Sequence, residues 1–317
     1  MELSRVAPEL RDPMLRITRI PIPMERSWGR RVIQTLLAVM PITKLDGVSI
    51  ERPRDAAPLV RVYHPAVRRS PAALFWIHGG GLIIGRAVQD DHLCGLTARE
   101  LGIVVVSVEY RKAPRYPFPA ALDDCLAGWR WLQREAPHFG VDPSCVAVGG
   151  ESAGGGLAAS LAQRLHGAGG ASPVAQWLFC PMLDDRTAAL DVLDAANHFV
   201  WNNRLNRFGW RSYLGEEPGA ATVPAYAVPA RREDLRGLPP AWIGVGDIDL
   251  FYGENRHYAD RLREAAVDVT MDVVPGAPHG ITSWAFGASI VRDHIRRAQA
   301  WLGQTLERCE AGGQAQD

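Results

Sequence analysis

Gly150-Glu151-Ser152-Ala153-Gly154 follows an apolar run at 145–148 and precedes Leu157, Leu161 and Leu165, which recur at four-residue steps with alanines beside them. A strand that turns at once into a helix through Gly-x-Ser-x-Gly puts the serine on a sharp bend, its hydroxyl at the carboxyl edge of a sheet. The flanking glycines suit a turn too cramped for side chains, and the helix N-terminus directs partial positive charge at the same point. As a bare pattern Gly-x-Ser-x-Gly is common and describes any tight glycine turn. The strand before it and the helix after it make Ser152 a candidate nucleophile.

Outward from this turn the chain alternates between two periodicities. Leu59-Val60-Arg61-Val62-Tyr63 alternates as a strand does. Ala73-Leu74-Phe75-Trp76-Ile77 is apolar throughout, as in a strand covered on both faces. The run at 103–108 is rich in β-branched residues, and further short apolar runs stand at 176–180, 242–245 and 269–274. Between them Leu122, Cys125, Leu126, Trp129 and Leu132 mark one face of a helix, and Val291, Ile295, Ala298, Leu302 and Leu306 mark another. Residues 26–40 read as an amphipathic helix after Pro21-Ile22-Pro23. Strands alternating with helices imply an α/β fold with a mostly parallel central sheet and helices on both faces. From 184 to about 230 the rhythm breaks, and Phe199, Trp201, Phe208, Trp210 and Tyr213 stand among polar residues and prolines. An insertion this long is either a lid over a site or a helical excursion packed on the core.

Composition narrows the function classes. The 317 residues carry 35 basic and 35 acidic side chains, so the zero net charge gives no reason to expect nucleic acid or an anionic membrane as a partner. A hydrophobic fraction of 47% is enough for a sizeable core, and one domain with insertions is expected over 1–317. The five cysteines are scattered without a CxxC pair, which points to buried thiols in a reducing compartment. No signal peptide is expected from Met1–Arg5, and the run at 32–40 is far shorter than the ~20 residues of a membrane span. A cytoplasmic location with no integral membrane segment is expected. Glu310 to Asp317 reads as a short polar tail.

His78-Gly79-Gly80-Gly81 directly follows the strand at 73–77. Three successive glycines leave backbone N–H groups open to close approach, as the oxyanion of a tetrahedral acyl intermediate requires. The candidate donors are the amides of Gly80, Gly81 and Ala153. The base of such a site belongs on a loop beyond a late strand, after the acid. Of nine histidines only His257, His279 and His294 lie late enough, and the first and last fall inside helical patterns. His279 stands in the rigid loop Pro275-Gly276-Ala277-Pro278-His279-Gly280. Asp249, thirty residues earlier in Gly246-Asp247-Ile248-Asp249-Leu250, is the candidate acid; Asp247 is close by, and spacing alone does not separate the two. Hydrolysis through an acyl-enzyme would need no metal or organic cofactor. No GxxxxGK[ST] or HExxH is present, and a formal GxGxxA match at 154–159 lies in the helix after Ser152, where close packing explains it.

The HGGG stretch, the GESAG turn, and Tyr110-Arg111-Lys112-Ala113-Pro114 running into Pro117-Phe118-Pro119-Ala120-Ala121-Leu122-Asp123-Asp124 resemble the hormone-sensitive-lipase-like esterases of the α/β-hydrolase superfamily. Gly237-Leu238-Pro239-Pro240, Asp249-Leu250-Phe251 and Pro278-His279-Gly280 are similar as well, so the resemblance spans about 58–305. It implies an α/β-hydrolase fold and the triad Ser152, Asp249 and His279, and it favours Asp249 because the acid stands before Leu-Phe. It further implies a helical cap built from about 1–45 and about 184–230, short- to medium-chain acyl esters as substrates, and frequent homodimers. His78, Gly79 and Glu151 would support the motifs. The sequence departs from the family at Glu151, where aspartate is commoner, at Leu82, where an aromatic is usual, and at Lys112 and Arg115, in place of Leu and Glu. An amidase or lactonase would use the same triad, since the leaving group is read by the pocket. Some relatives are non-catalytic small-molecule receptors that have lost the histidine, and His279 argues against that reading.

Overall fold

The computed structural model describes residues 1–314 except 21, 42, 44 and 55. Two helices, α1 (Pro8–Thr18) and α2 (Ser27–Ala38), precede the first strands, β1 (Val48–Glu51) and β2 (Val60–Pro65). There follow β3 (Ala73–Ile77), α3 (Asp91–Leu101), β4 (Val104–Val108), α4 (Ala120–Glu135), β5 (Val146–Glu151), α5 (Ala153–Ala168) and β6 (Gln176–Phe179). After β6 come α6 (Asp185–Ala188), α7 (Val192–Ala196) and α8 (Asn203–Leu214), then β7 (Ala241–Gly246), α9 (Tyr252–Glu264), β8 (Val269–Val274), α10 (Ile281–Trp284) and α11 (Ser289–Gln314). The eight strands form one sheet in the order β1-β2-β4-β3-β5-β6-β7-β8. Only the β1–β2 and β2–β4 pairs are antiparallel; from β4 to β8 every pair is parallel.

The apolar run of β3 is buried because the sheet is covered twice. Ala73, Phe75 and Ile77 face a core shared with Leu122 and Trp129 of α4, Leu157 and Leu161 of α5, and Tyr258 of α9. Leu74 and Trp76 point the other way, into a second core with Leu93 of α3, Leu10 and Met14 of α1, and Val291, Ile295 and Leu302 of α11. Alternate residues on one strand thus serve opposite layers.

Elements β1, α1 and α11 differ from the sequence expectation. Strand β1 and helix α1 carry too few periodic apolar positions to announce themselves. Helix α11 runs on through Glu310 to Gln314, where a polar tail is expected. Pro21 and the last three residues lie outside the described part. Among the described residues, no helix is long and apolar enough to cross a membrane. Cys94, Cys125, Cys145 and Cys180 are buried free thiols, and Cys309 is half-buried.

One buried ion pair ties β2 to α3. Arg61 Nε and Nη2 donate to Asp91 Oδ1 and Oδ2 at 2.8 and 2.7 Å, and Tyr63 Oη donates to Asp91 Oδ1 at 2.7 Å. The carboxylate is fully buried, so removing it strands a guanidinium in the core. Asp91→Ala is expected to lower unfolding free energy by about 3–5 kcal/mol in denaturant titrations, and a loss under ~1 kcal/mol would mean that water reaches Arg61.

Candidate active site

Strand β5 ends at Glu151 and α5 begins at Ala153, leaving Ser152 alone to make the turn at φ 57°, ψ −120°. A non-glycine residue held there is strained, and its surroundings over-determine it. Ser152 N donates to Phe179 O at 2.8 Å, while its carbonyl accepts from Gly156 N at 3.0 Å and Met182 N at 2.9 Å. A Cβ on Gly150 would lie 2.4 Å from Gly154 C, and one on Gly154 would lie 2.0 Å from Ile77 O. Neither position admits a side chain. A Cβ on Gly156 would likewise meet Met182 O at 2.1 Å, so close packing against the chain after β6 accounts for the GxGxxA match.

His279, in the loop after β8, sets its Nε2 2.8 Å from Ser152 Oγ. Its Nδ1 lies 2.9 Å from Asp249 Oδ2, and Asp249 Oδ1 accepts from Phe251 N at 2.9 Å. All three side chains are buried. Burial opposes a charge on His279, but the adjoining Asp249 carboxylate outweighs it and holds the imidazole pKa well above its usual value. The Phe251 ring meets the imidazole edge-on at 5.1 Å. Asp247 points elsewhere: it is exposed and accepts from Gly276 N at 2.7 Å. His257 is exposed on α9, and His294 is bound to Asp272 at 3.0 Å. The structure therefore joins Ser152, His279 and Asp249 in one hydrogen-bonded chain and leaves the other candidates outside it.

Glu151 links the serine turn to the histidine loop. It accepts from Thr282 Oγ1 at 2.7 Å and from Ser283 Oγ at 2.5 Å. Burial raises the Glu151 pKa against the pull of these two bonds. Thr282 and Ser283 carry no motif, and nothing in the sequence singles them out.

The glycine loop runs beside the turn. A Cβ on Gly79 would stand 3.1 Å from Glu151 O and 3.5 Å from Ser152 Cβ. Gly80 and Gly81 take φ of +124° and +59°. Among the described residues, the amides of Gly80, Gly81 and Ala153 donate to no other group. His78 is buried behind the loop, stacked on Tyr110 at 4.3 Å, with Nδ1 2.7 Å from Gly79 O. Tyr110 Oη donates to His78 O at 3.0 Å. Burial drives the His78 pKa well below its usual value, so the ring is neutral and Nδ1–H is the donor. Leu82 is buried at φ 66°. Lys112 donates to Tyr110 O at 2.8 Å, and Arg115 is exposed.

Trp201, between α7 and α8, closes the site on the open side. Its ring lies 6.3 Å from that of His279, and a Cβ on Gly81 would be 2.1 Å from its Cη2. Trp210, by contrast, is a fully buried packing residue. Beyond Trp201 a cleft of about 540 Å³ runs between Ile17, Met24 and Ile33 of the N-terminal segment and Val200 and Leu205 of the insertion. The two segments are bridged by Arg204 and Glu25 at 2.8 Å, and Arg30 lies over the Phe208 ring.

The Abhydrolase_3 family model, described as alpha/beta hydrolase fold, matches residues 74–283. Carboxylic ester hydrolase LipN of Mycobacterium tuberculosis is 35% identical over 82% of this chain and 70% of its own. Ethyl acetate hydrolase of Pseudomonas putida is 33% identical over 69% of this chain and 70% of its own. Among solved structures, a bacterial heroin esterase superposes with a TM-score of 0.83 at 34% identity, covering 96% of this chain and 99% of that one. The chain belongs to the α/β-hydrolase superfamily, within its hormone-sensitive-lipase-like family of carboxylic-ester hydrolases.

Proposed function

We propose that this protein is a serine carboxylesterase that hydrolyses short- to medium-chain acyl esters through Ser152, His279 and Asp249. The observation that carries the proposal is the unbroken chain of hydrogen bonds Ser152 Oγ–His279 Nε2 and His279 Nδ1–Asp249 Oδ2, at 2.8 and 2.9 Å. His279 takes the Ser152 proton as Oγ attacks the ester carbonyl and returns it to the departing alcohol. Water then repeats the sequence on the acyl-enzyme, releasing the acid and regenerating Ser152. Asp249 keeps the proton of the resting imidazole on Nδ1 and stabilises the cation formed during attack. The unengaged amides of Gly80, Gly81 and Ala153 supply the oxyanion donors. Residues 1–45 and 184–230 act as a cap on the single domain, with the cleft between Ile17, Met24 and Ile33 on one side and Val200 and Leu205 on the other lying between the two segments.

Hydrolysis of a chromogenic ester series from acetate to palmitate tests this reading, with rates expected to peak at the short end. Ser152→Ala is expected to lower kcat by roughly 10³-fold or more with an unchanged thermal melt; normal turnover by the variant would remove the mechanism. Activity confined to amides or lactones would keep the triad and reassign the substrate. Asp249→Asn is expected to lower kcat by about 10⁴-fold, whereas Asp247→Asn stays close to wild type, and the reverse order would exchange their roles. Because only neutral His279 accepts a proton, kcat/KM falls as pH drops through its raised pKa. The acid limb should therefore lie above ~6.5, the unperturbed histidine value, and move to lower pH in the residual activity of Asp249→Asn. A limb at or below that value in the wild type would show that the Asp249 charge does not reach the ring.

A further inference from the structure

The thiol of Cys180, just past β6, lies against the Asp249–His279 pair, and the proposed reaction does not use it. One ligand atom from each of Cys180, Asp249 and His279 lies within 4.8 Å of the other two, and all three residues are buried. The imidazole nitrogen that faces the carboxylate is Nδ1, at 2.9 Å from Asp249 Oδ2. Cys180 is fixed in place: its backbone sits at φ 34°, and its N donates to Gly244 O at 2.6 Å. A small cavity of about 10 Å³ borders Cys180 and Asp249, with Gly280 and Thr282 on its far wall. That is close to the space of a single small sphere.

We infer that Cys180, Asp249 and His279 form an inhibitory site for a thiophilic divalent cation, Zn²⁺ above all. Thiolate, imidazole and carboxylate are the donor types Zn²⁺ prefers, and tetrahedral bonds of about 2.3, 2.0 and 2.0 Å place the donors roughly 3.3–3.6 Å apart. The three atoms reach that spacing by shifts of about an ångström or less, with water as a fourth ligand. Binding breaks the Nδ1–H···Oδ2 hydrogen bond and replaces it with two metal bonds. The imidazole proton moves to Nε2, and the thiol proton leaves to solvent. Nε2 then carries a hydrogen where it must accept one from Ser152, so the base is locked in the wrong tautomer. The ion is an antagonist of turnover and takes no part in it. The inhibition rests on the proposed triad; the binding does not.

The test uses the full chain, stripped with a chelator, and Co²⁺ and Zn²⁺ as probes. Co²⁺ is expected to give near-ultraviolet thiolate charge-transfer absorption at one equivalent, in the wild type and equally in Ser152→Ala. Zn²⁺ should displace the Co²⁺ signal, inhibit ester hydrolysis, and be reversed by chelator. Cys180→Ser is expected to keep its basal rate, lose the charge-transfer band, and need roughly tenfold or more Zn²⁺ for half-inhibition. Cys180→Ala serves the same purpose if the serine variant fails to fold, and Cys309→Ser, which alters the only thiol not fully buried, should behave as wild type. Undiminished Zn²⁺ inhibition without Cys180, or no thiolate band in the wild type, would overturn the site. A wild type that binds Co²⁺ through Cys180 yet hydrolyses no ester would leave the site standing and defeat the esterase reading instead.

Discussion

Everything in the site depends on the crowding where β5 turns into α5. The turn fits only because Gly150 and Gly154 bring backbone to within 2.4 Å or less of where a Cβ would stand. Ser152 is held in a backbone conformation that a free chain would leave, its amide bonded to Phe179 at the end of β6 and its carbonyl to Met182 just beyond that strand. Parallel pairing of β5 with β3 and β6 sets the turn among the carboxyl ends of its neighbours. The glycine loop after β3 and the loops after β6, β7 and β8 therefore converge on one point from different directions. Distant segments meet there because a parallel sheet delivers all its strand ends to one edge.

The same crowding explains the electrostatics. Ser152, Asp249 and His279 are nearly inaccessible to water, so the Asp249 charge acts at short range and little screened. His78 lies near the same edge and is equally buried, but among the described residues no carboxylate is hydrogen-bonded to it, Glu109 Oε2 standing 3.9 Å from Nε2, and its pKa moves in the opposite direction. Two imidazoles of similar burial are thus shifted in opposite directions, His78 downward by desolvation with the Lys112 and Arg86 cations and His279 upward beside the hydrogen-bonded Asp249 carboxylate.

What could be read in the sequence is what depends on order along the chain. Ser152, Asp249 and His279 each stand within five residues of a strand's carboxyl end, so the strand pattern alone sends them to one sheet edge. The alternation that predicts a mostly parallel sheet is local in the same sense, and it fails only where β1 is short and half-exposed. The contacts made by Trp201, Cys180, Thr282 and Ser283 could not be read in this way. Trp201 reaches Gly81 only because the insertion folds back over the glycine loop, and Thr282 reaches Glu151 across more than a hundred residues of chain. No local periodicity encodes either contact. The choice between Asp249 and Asp247 lay between these extremes: spacing allowed both, and the direction of two side chains in one turn separates them.

The Glu151 bridge has a consequence for how this site tolerates change. The loop that carries His279 belongs to neither a strand nor a long helix, and its position is fixed largely by what it holds. One of those holds is the side chain of Glu151, next to Ser152 itself. Serine turn and histidine loop are thus a single mechanical part made from two remote stretches of sequence. Substitutions in one stretch change the effect of substitutions in the other, so their energies are not additive. An engineer who redraws α10 around residue 282 is also adjusting the aim of Ser152.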